Sequence, residues 1–155
     1  MSKELIKDSV LKPLKLIPDE RGWLMEVLRR DDPLFTQFGQ AYVTVAYPDV
    51  VKAWHCHRVQ VDHFTVLSGM GKIVLYDGRE NSPTYRQIDE HFLGTQHRAI
   101  LRIPNGVWHG FKAVGGEPAM ILNIPTEPYN HADPDELRAP PHGGPIDYDW
   151  TRKDG

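Results

Sequence analysis

Histidine and aspartate side chains that could bind a metal or move a proton are concentrated in one stretch, "KAWHCHRVQVDHFTVLSG", which runs from Lys52 to Gly69. His55 and His57 occupy alternate positions, and Asp62 follows five residues after the second histidine. Because side chains alternate along a β-strand, both imidazoles are expected on one face of a strand. Such groups suit either the binding of a transition metal or proton transfer by a histidine that a carboxylate orients.

A second segment, "IPNGVWHGF" (103–111), adds His109. The order His-x-His, short gap, acidic residue, glycine, and later Pro-x-Gly-x-x-His resembles the two motifs of cupins, in which the usual acid is glutamate. The resemblance implies a metal site for iron, manganese, nickel or zinc, with His55, His57, Asp62 and His109 as ligands. The alternative is a polar pocket in which these four groups only form hydrogen bonds.

The elements that must position these groups are predicted to be short strands. β-Branched and aromatic runs bounded by turn residues lie at 41–47, 63–69, 72–77, 99–104 and 119–125. Their spacing predicts an all-β fold with a double-sheet barrel of the jelly-roll kind. The resemblance to the cupin motifs implies a cupin-type jelly-roll β-barrel. A few short helical turns are predicted as well, at 32–39 and 133–139, each with an aspartate as a possible cap.

The length of 155 residues predicts one domain, residues 1–155. Within it we expect an N-terminal arm over about 1–28, the barrel over about 41–125, and a tail rich in proline and glycine over about 126–155 that wraps the surface.

Charge and composition exclude several function classes. The net charge is −3 and no run of lysine and arginine occurs, which argues against nucleic acid as a partner. No apolar run approaches membrane-spanning length, and the first ten residues lack the apolar core of a signal peptide. The single cysteine, Cys56, favours a reducing compartment, so a cytoplasmic location is predicted, and its position between the histidines predicts a buried side chain without a nucleophilic role.

Four segments in order resemble the motifs of the dTDP-4-dehydrorhamnose 3,5-epimerase family. These segments are "DERGWLMEV" (19–27), "YDGRENSPTY" (76–85), "IPNGVWHGF" (103–111) and "TEPYNHADPDELR" (126–138). The resemblance implies an epimerase of a nucleotide-linked 4-keto-6-deoxy sugar, serving the synthesis of cell-surface polysaccharide or glycosylated metabolites. It implies proton abstraction beside the ketone, no metal or redox cofactor, and a homodimer in which residues 12–28 contribute to the neighbouring subunit.

The same resemblance assigns roles to individual residues. His55 corresponds to the family's base, and Tyr129 to its catalytic tyrosine. Lys52, Arg21 and Glu26 correspond to residues that contact the nucleotide. His109 and Asn123 are further substrate-binding candidates, and Asn123 takes the place of a second family tyrosine.

Two departures from the family leave the mechanism open. Asp62 occupies the position of an active-site lysine that could stabilise an enolate, and the distal aspartate that orients the base in the family is expected in a tail that this chain lacks. Either Asp62 orients His55, or a divalent transition metal held by the four candidate ligands stabilises the enolate. The two accounts compete for His55, because a metal-bound histidine cannot also remove a proton. The function classes that remain are the epimerase, a metal-dependent small-molecule cupin, and a non-catalytic sugar-nucleotide binder.

Other aromatic and histidine side chains are given structural roles. His63 is expected to be packed or on the surface, while His91, His97, His131 and His142 are expected in solvent. Trp54 and Trp108 are expected to pack between the sheets.

Overall fold

All regular secondary structure in the described part of the chain is β-strand. The computed structural model describes residues 4–155, so residues 1–3 of the predicted N-terminal arm lie outside the described residues. Within 4–155 no helix occurs, and the all-β prediction is confirmed. The strands are β1 (Val10–Pro13), β2 (Leu16–Asp19), β3 (Gly22–Met25), β4 (Tyr42–Ala46), β5 (Val51–Cys56), β6 (Asp62–Ser68), β7 (Met70–Asp77), β8 (Ile88–Gly94), β9 (Ala99–Ile103), β10 (Val107–Ala113), β11 (Ala119–Asn123) and β12 (Leu137–Arg138).

Two five-stranded antiparallel sheets contribute to one core. The first has the order β1-β9-β6-β11-β4 and the second the order β12-β5-β10-β7-β8, while β2 and β3 form a separate hairpin. The chain crosses repeatedly from one sheet to the other, as in a jelly roll. The predicted barrel needs correction in one respect. Among the described strands, β1 and β4 end one sheet and β8 and β12 end the other, so the two sheets are not closed into a continuous cylinder.

The core between the sheets comes from alternate positions of the predicted strands. The five predicted runs coincide with β4, β6, β7, β9 and β11, with ends that differ by no more than two residues. Each strand contributes its inward side chains, so that water is excluded from both inner faces. The buried residues of this cluster include Phe64, Val66, Ile73, Leu75, Leu101, Ile103, Val107, Phe111 and Ile121.

The outer face of the second sheet is covered by the C-terminal segment. Trp54 is fully buried there, and its ring centroid lies 5.2 Å from that of Trp150 and 5.9 Å from that of Tyr148. Ile146 and Trp108 belong to the same cluster. The prediction that Trp54 and Trp108 pack between the sheets is therefore wrong. Trp54 on β5 and Trp108 on β10 both face the side opposite to the core, where they pack with the C-terminal segment.

Neither predicted helical turn forms a helix. Around 32–39 the chain makes a turn in which Asp32 Oδ1 accepts the N–H of Leu34 at 3.0 Å. Within 133–139 the chain is irregular except for β12. The carboxylate of Asp135, inside this segment, accepts backbone N–H groups at 58–60 from a distant part of the chain.

The histidines outside the site divide between the core and the surface. His63 is fully buried, with Nδ1 2.9 Å from the carbonyl oxygen of Ile124, so its expected packing role is confirmed. His91 was expected in solvent, but only 6% of its surface is exposed. It shares the inward face of β8 with Asp89 and Leu93, and Asp89 accepts the backbone N–H of Ile6 at 2.7 Å. The inward positions of this edge strand are thus partly polar.

The segment "YDGRENSPTY" forms a turn around a buried carboxylate. Asp77 is fully buried, and Oδ2 accepts hydrogen bonds of 2.6 Å from both Ser82 Oγ and Thr84 Oγ1. Arg79 Nε donates to Asp77 Oδ1 at 2.8 Å. Burial would raise the pKa of Asp77, but the hydrogen bonds from Arg79, Ser82 and Thr84 hold it well below its ordinary value. This sequence motif therefore has a structural role.

We expect Asp77→Asn to lower the free energy of unfolding by about 2 kcal/mol at pH 7, because hydrogen bonds to a charged group are lost in a buried position. Since the folded pKa is depressed, the carboxylate stabilises the fold above its unfolded pKa, and this contribution declines as the pH falls below about 4. Urea unfolding at pH 7 and pH 3 measures both effects, and the difference between variant and wild type should be about 1 kcal/mol smaller at pH 3. Asp19→Asn is the matched control, since Asp19 also accepts from the arginine two residues later but in an exposed turn. A difference that does not shrink at pH 3 would contradict this account.

Candidate functional site

The candidate site is a cavity between the inner faces of β5, β10, β4 and β6 and the segment that follows β11. Its volume is about 760 Å³. His55, His57 and His109 line the cavity, while Trp54 points to the opposite face of β5 and is covered by the tail. The alternation of side chains along the strand thus separates groups that can do chemistry from groups that stabilise the fold. The remaining polar lining residues are Gln40, Tyr42, Thr44, Lys52, Gln60, Tyr129, His131, Glu136 and Arg138.

The carboxylate beside His55 is that of Glu136. Glu136 Oε1 lies 3.6 Å from His55 Nε2, and Glu136 Oε2 accepts a hydrogen bond of 2.8 Å from Arg138 Nη2. The short strand β12 produces this arrangement, because Arg138 pairs with His55 and Leu137 with Cys56 across the sheet. His55, Glu136 and Arg138 therefore form a row at one wall of the cavity.

This arrangement differs from the predicted partner of His55. Asp62 was expected to orient His55 in place of the family's distal acid, but Asp62 contacts His57, His109, Gln60 and Asn123 instead. Glu136 was not predicted as a site residue. The signal that could have found it is the proline-acid-arginine segment, which matches the family motif at 126–138 but was interpreted as a helical turn.

Asp62 instead lies between two other histidines. Its Oδ2 is 3.3 Å from His57 Nε2 and 3.2 Å from His109 Nε2. Its Oδ1 accepts hydrogen bonds from the amide groups of Gln60 at 2.8 Å and Asn123 at 2.7 Å. Burial would raise the pKa of Asp62, but the adjacent imidazoles of His109 and His57 hold it well below its ordinary value. A buried anion is thus directed at two imidazole nitrogens.

The surroundings of His55 and His57 differ electrostatically. Burial lowers the pKa of His55 to about 4, with a further lowering by His109 that Glu136 opposes, so the ring is neutral at pH 7 and can accept a proton. For His57, burial also acts to lower the pKa, but the carboxylate of Asp62 outweighs it and raises the pKa. Burial raises the pKa of Cys56 to about 11, so this thiol stays protonated.

Asn123 supports the site from behind. It is fully buried, and its amide group also donates to the hydroxyl of Tyr42 at 3.0 Å, while its Oδ1 accepts the N–H of His63. Asn123 is absent from the cavity lining, so the expected substrate contact is corrected: the side chain holds Asp62 and Tyr42 in place. Tyr42 carries the hydroxyl that reaches the cavity at this position.

The other predicted site residues fall into two groups. Lys52 and Tyr129 line the cavity, and Lys52 Nζ donates to Thr44 Oγ1 at 2.9 Å. Arg21 lies at the turn of the β2–β3 hairpin, where it pairs with Asp19, and Glu26 pairs with Arg29 at 2.9 Å after that hairpin. The structure does not bring Arg21 and Glu26 into the cavity of their own chain.

Comparison with known proteins identifies the family. A family model described as dTDP-4-dehydrorhamnose 3,5-epimerase matches residues 3–154. The chain belongs to this family. The resemblance inferred from four short motifs is thereby confirmed, and so is the predicted enzyme class, a sugar-nucleotide epimerase.

Relatives of the same family match nearly the whole chain. The "probable low-salt glycan biosynthesis epimerase Agl13" of Haloferax volcanii is 42% identical over 148 residues, which cover 94% of this chain and 95% of the relative. The "spore coat polysaccharide biosynthesis protein SpsL" of Bacillus subtilis is 38% identical over 141 residues, which cover 91% and 93%. The crystal structure of a dTDP sugar isomerase from Desulfovibrio desulfuricans is 38% identical with a TM-score of 0.89, covering 96% of this chain and 94% of that one.

Residues 4–155 include no helix long and apolar enough to cross a bilayer.

Proposed function

We propose that this family member inverts a carbon next to the ketone of a nucleotide-linked 4-keto-6-deoxy sugar, with His55 as the base. The observation that carries the proposal is the position of His55, which is on the cavity wall, neutral, and backed by Glu136 at 3.6 Å. This distance exceeds that of a hydrogen bond, and catalytic contacts of this kind often tighten when substrate binds. Glu136 would hold the proton of one ring nitrogen and leave the other nitrogen free to accept a proton.

The reaction needs one proton removed and one returned. The ketone at C4 acidifies the hydrogen on the neighbouring carbon, so His55 takes this proton and the electron pair of the C–H bond forms the enolate. Tyr129, which also lines the cavity, would then deliver a proton to the opposite face of the same carbon. Carbon and oxygen keep their oxidation states, so no redox cofactor takes part.

The cationic side chains of the cavity support a nucleoside diphosphate as the carrier of the sugar. Lys52 and Arg138 both line the cavity, and charged hydrogen bonds to phosphate are stronger than neutral ones. The names of the two curated relatives support a role in the synthesis of a surface polysaccharide or another glycan. The single buried cysteine supports the predicted cytoplasmic location.

We expect Lys52→Ala to weaken the binding of dTDP by about 10-fold, because one charged hydrogen bond of roughly 1.5–3 kcal/mol is lost. Isothermal titration calorimetry with dTDP measures this, and Lys7→Ala is a control, since the side chain of Lys7 is 59% exposed and lies outside both the cavity and residues 12–28. Failure of the wild type to bind dTDP, UDP, GDP, ADP or CDP would refute a nucleotide-linked substrate. A protein that binds dTDP but exchanges no substrate proton would instead be the non-catalytic binder.

We also propose that the protein is a homodimer in which residues 12–28 pack on the neighbouring subunit. Trp23 and Leu24 on the hairpin are 54% and 58% exposed, and Val43 on the edge strand β4 is 52% exposed. Such exposed apolar side chains beside an open sheet edge favour a partner surface. Packing of residues 12–28 on the neighbouring subunit would also bring Arg21 and Glu26 toward the neighbour's cavity. Multi-angle light scattering at micromolar concentration should give twice the chain mass of 17.7 kDa, and a stable monomer would contradict the proposal.

A further inference from the structure

Three of the four predicted metal ligands converge at one side of the cavity, and His55 is not among them. His57 follows β5, Asp62 begins β6, and His109 lies in β10. One ligand atom from each of these residues lies within 4.8 Å of the other two. Two imidazoles and a carboxylate that face each other are a common donor set for divalent transition metals.

The hydrogen bonds of the two rings determine which nitrogens are free. His57 Nδ1 contacts the carbonyl oxygen of Asp135, and His109 Nδ1 lies 3.1 Å from the carbonyl oxygen of Val107. A carbonyl oxygen only accepts, so each Nδ1 carries a proton. In the neutral rings, the lone pairs of both Nε2 atoms therefore point at Asp62 Oδ2, which is an acceptor as well. Acceptors in mutual contact need a cation between them, either protons or a metal ion.

The amide of Gln60 favours a metal ion over protons. Its NH₂ group must face Asp62 Oδ1, because the carboxylate oxygen only accepts, and the same nitrogen lies 3.3 Å from His57 Nε2. The amide N–H of Gln60 can donate to His57 Nε2 only if this ring nitrogen carries a lone pair. A protonated Nε2 would instead place two donors against each other, so a metal ion fits better than a proton.

The distances agree with a shared ion. Charged N–H···O hydrogen bonds are commonly about 2.7–2.9 Å long, whereas the two Nε2–Oδ2 distances are 3.3 and 3.2 Å. Ligand atoms about 2.1 Å from one ion are ~3.0 Å apart at octahedral angles and ~3.4 Å apart at tetrahedral angles.

The groups around the three residues are those that support metal ligands. Ligating histidines usually donate their other N–H to a carbonyl or carboxylate, and ligating carboxylates are themselves hydrogen-bonded. Both rings donate to backbone carbonyls, and Asp62 Oδ1 accepts from Gln60 and Asn123. His57 and His109 also line the cavity, so further coordination positions would face the space available to substrate.

We propose that His57, Asp62 and His109 bind one divalent transition-metal ion at the cavity wall, and that His55 remains outside its coordination. Two neutral imidazoles and one carboxylate leave the bound ion with a net charge of +1. This charge would lie where the family's lysine is replaced by Asp62, a role in enolate stabilisation that rests on the proposed function. The sequence predicted that base and metal would compete for His55. This competition is removed, because His55 faces Glu136, whereas the metal would be bound by Asp62 with His57 and His109.

Metal binding is tested on protein purified without a histidine tag, stripped with EDTA and dialysed into metal-free buffer. Calorimetric titration with zinc, nickel and manganese chlorides should show one equivalent bound for at least one metal. We expect His57→Gln and Asp62→Asn to weaken that binding by at least about 10-fold, since even changes to supporting residues cost this much. Thermal unfolding checks that both variants are folded. His57→Gln is expected to disturb the fold less than Asp62→Asn, because Asp62 also accepts hydrogen bonds from two buried amide groups.

The matched control is His55→Gln, which removes an imidazole two positions away on the same face of the chain. It should bind the metal as tightly as the wild type. Absence of binding for all three metals, or a folded His57→Gln with wild-type affinity, would overturn the proposal. A loss of affinity in His55→Gln would overturn the three-ligand assignment. Metal binding without deuterium exchange into a dTDP-linked 4-keto-6-deoxyhexose would refute the proposed function and leave the site intact, and full exchange by metal-free protein would refute the ion's part in the reaction.

Discussion

His55→Asn is expected to lower the rate of deuterium exchange next to the ketone by about 10²–10⁴-fold, the range that general base catalysis contributes. In deuterium oxide, the wild-type protein should replace the hydrogen beside C4 of a dTDP-linked 4-keto-6-deoxyhexose with deuterium, which proton NMR follows directly. Asparagine keeps a polar side chain of similar size at the cavity wall but cannot accept a proton at neutral pH. The affinity for dTDP should therefore change little, so the loss should fall on kcat.

Glu136→Gln provides the comparison for this experiment. Glu136 acts through His55, so its loss should cost less than the loss of the base, roughly 10–100-fold, and again mainly in kcat. His97→Gln is a control, since His97 is exposed and lies outside the cavity. Exchange that continues at the wild-type rate in His55→Asn would rule out His55 as the base. An equal loss in Glu136→Gln and His55→Asn would show that the carboxylate takes a direct part.

Trp150→Ala should give the largest loss of stability, about 3 kcal/mol, which is the low end of the range for buried tryptophan. Its ring is 1% exposed and packs against Trp54 at 5.2 Å and Tyr148 at 4.9 Å. The indole N–H has no hydrogen-bond acceptor among the described residues, so its burial already costs free energy, and removing the ring recovers part of the loss. Urea unfolding, followed by circular dichroism, measures the change in the free energy of unfolding.

Phe38→Ala is the control for this variant, because Phe38 is 64% exposed and lies outside residues 12–28. Its loss should change the free energy of unfolding of the subunit by less than about 1 kcal/mol. Trp150→Ala should also make the segment after 139 more sensitive to limited proteolysis, because the outer face of the second sheet loses its main cover. A loss below 1 kcal/mol with an unchanged cleavage pattern would mean that the tail contributes little to the fold.

The fold could be predicted because its strands carry local signals. Runs of β-branched and aromatic residues between turns located β4, β6, β7, β9 and β11, and strand alternation placed His55 and Trp54 on opposite faces. The inward positions of β8 were harder to interpret, because His91 faces inward there while Phe92 is 47% exposed. Hydrophobic periodicity fails when the buried side chains of a strand are polar and a distant segment covers them.

The partner of His55 could not be predicted for a related reason. Glu136 reaches the site through β12, a strand of only two residues whose pairing with β5 spans about half the chain. Neither composition nor spacing reports a contact of that range. The carboxylate of Asp135, one position earlier, lies within the segment predicted as a helical turn, because its partners, the N–H groups at 58–60, are equally distant in sequence.

The segment from Asp135 to Arg138 carries the partners of the His57 loop and of His55, and it lies at the edge of the second sheet. Asp135 binds the loop that carries His57, Glu136 faces His55, and both depend on a two-residue edge strand whose side chains are largely exposed. Local opening of such an edge requires far less free energy than global unfolding. The amide hydrogen of Ala139, which donates to the carbonyl of Trp54, should consequently exchange with solvent much faster than those of β7. The fraction of molecules in which β12 is paired with β5 would then set the catalytic activity, separately from the stability of the core.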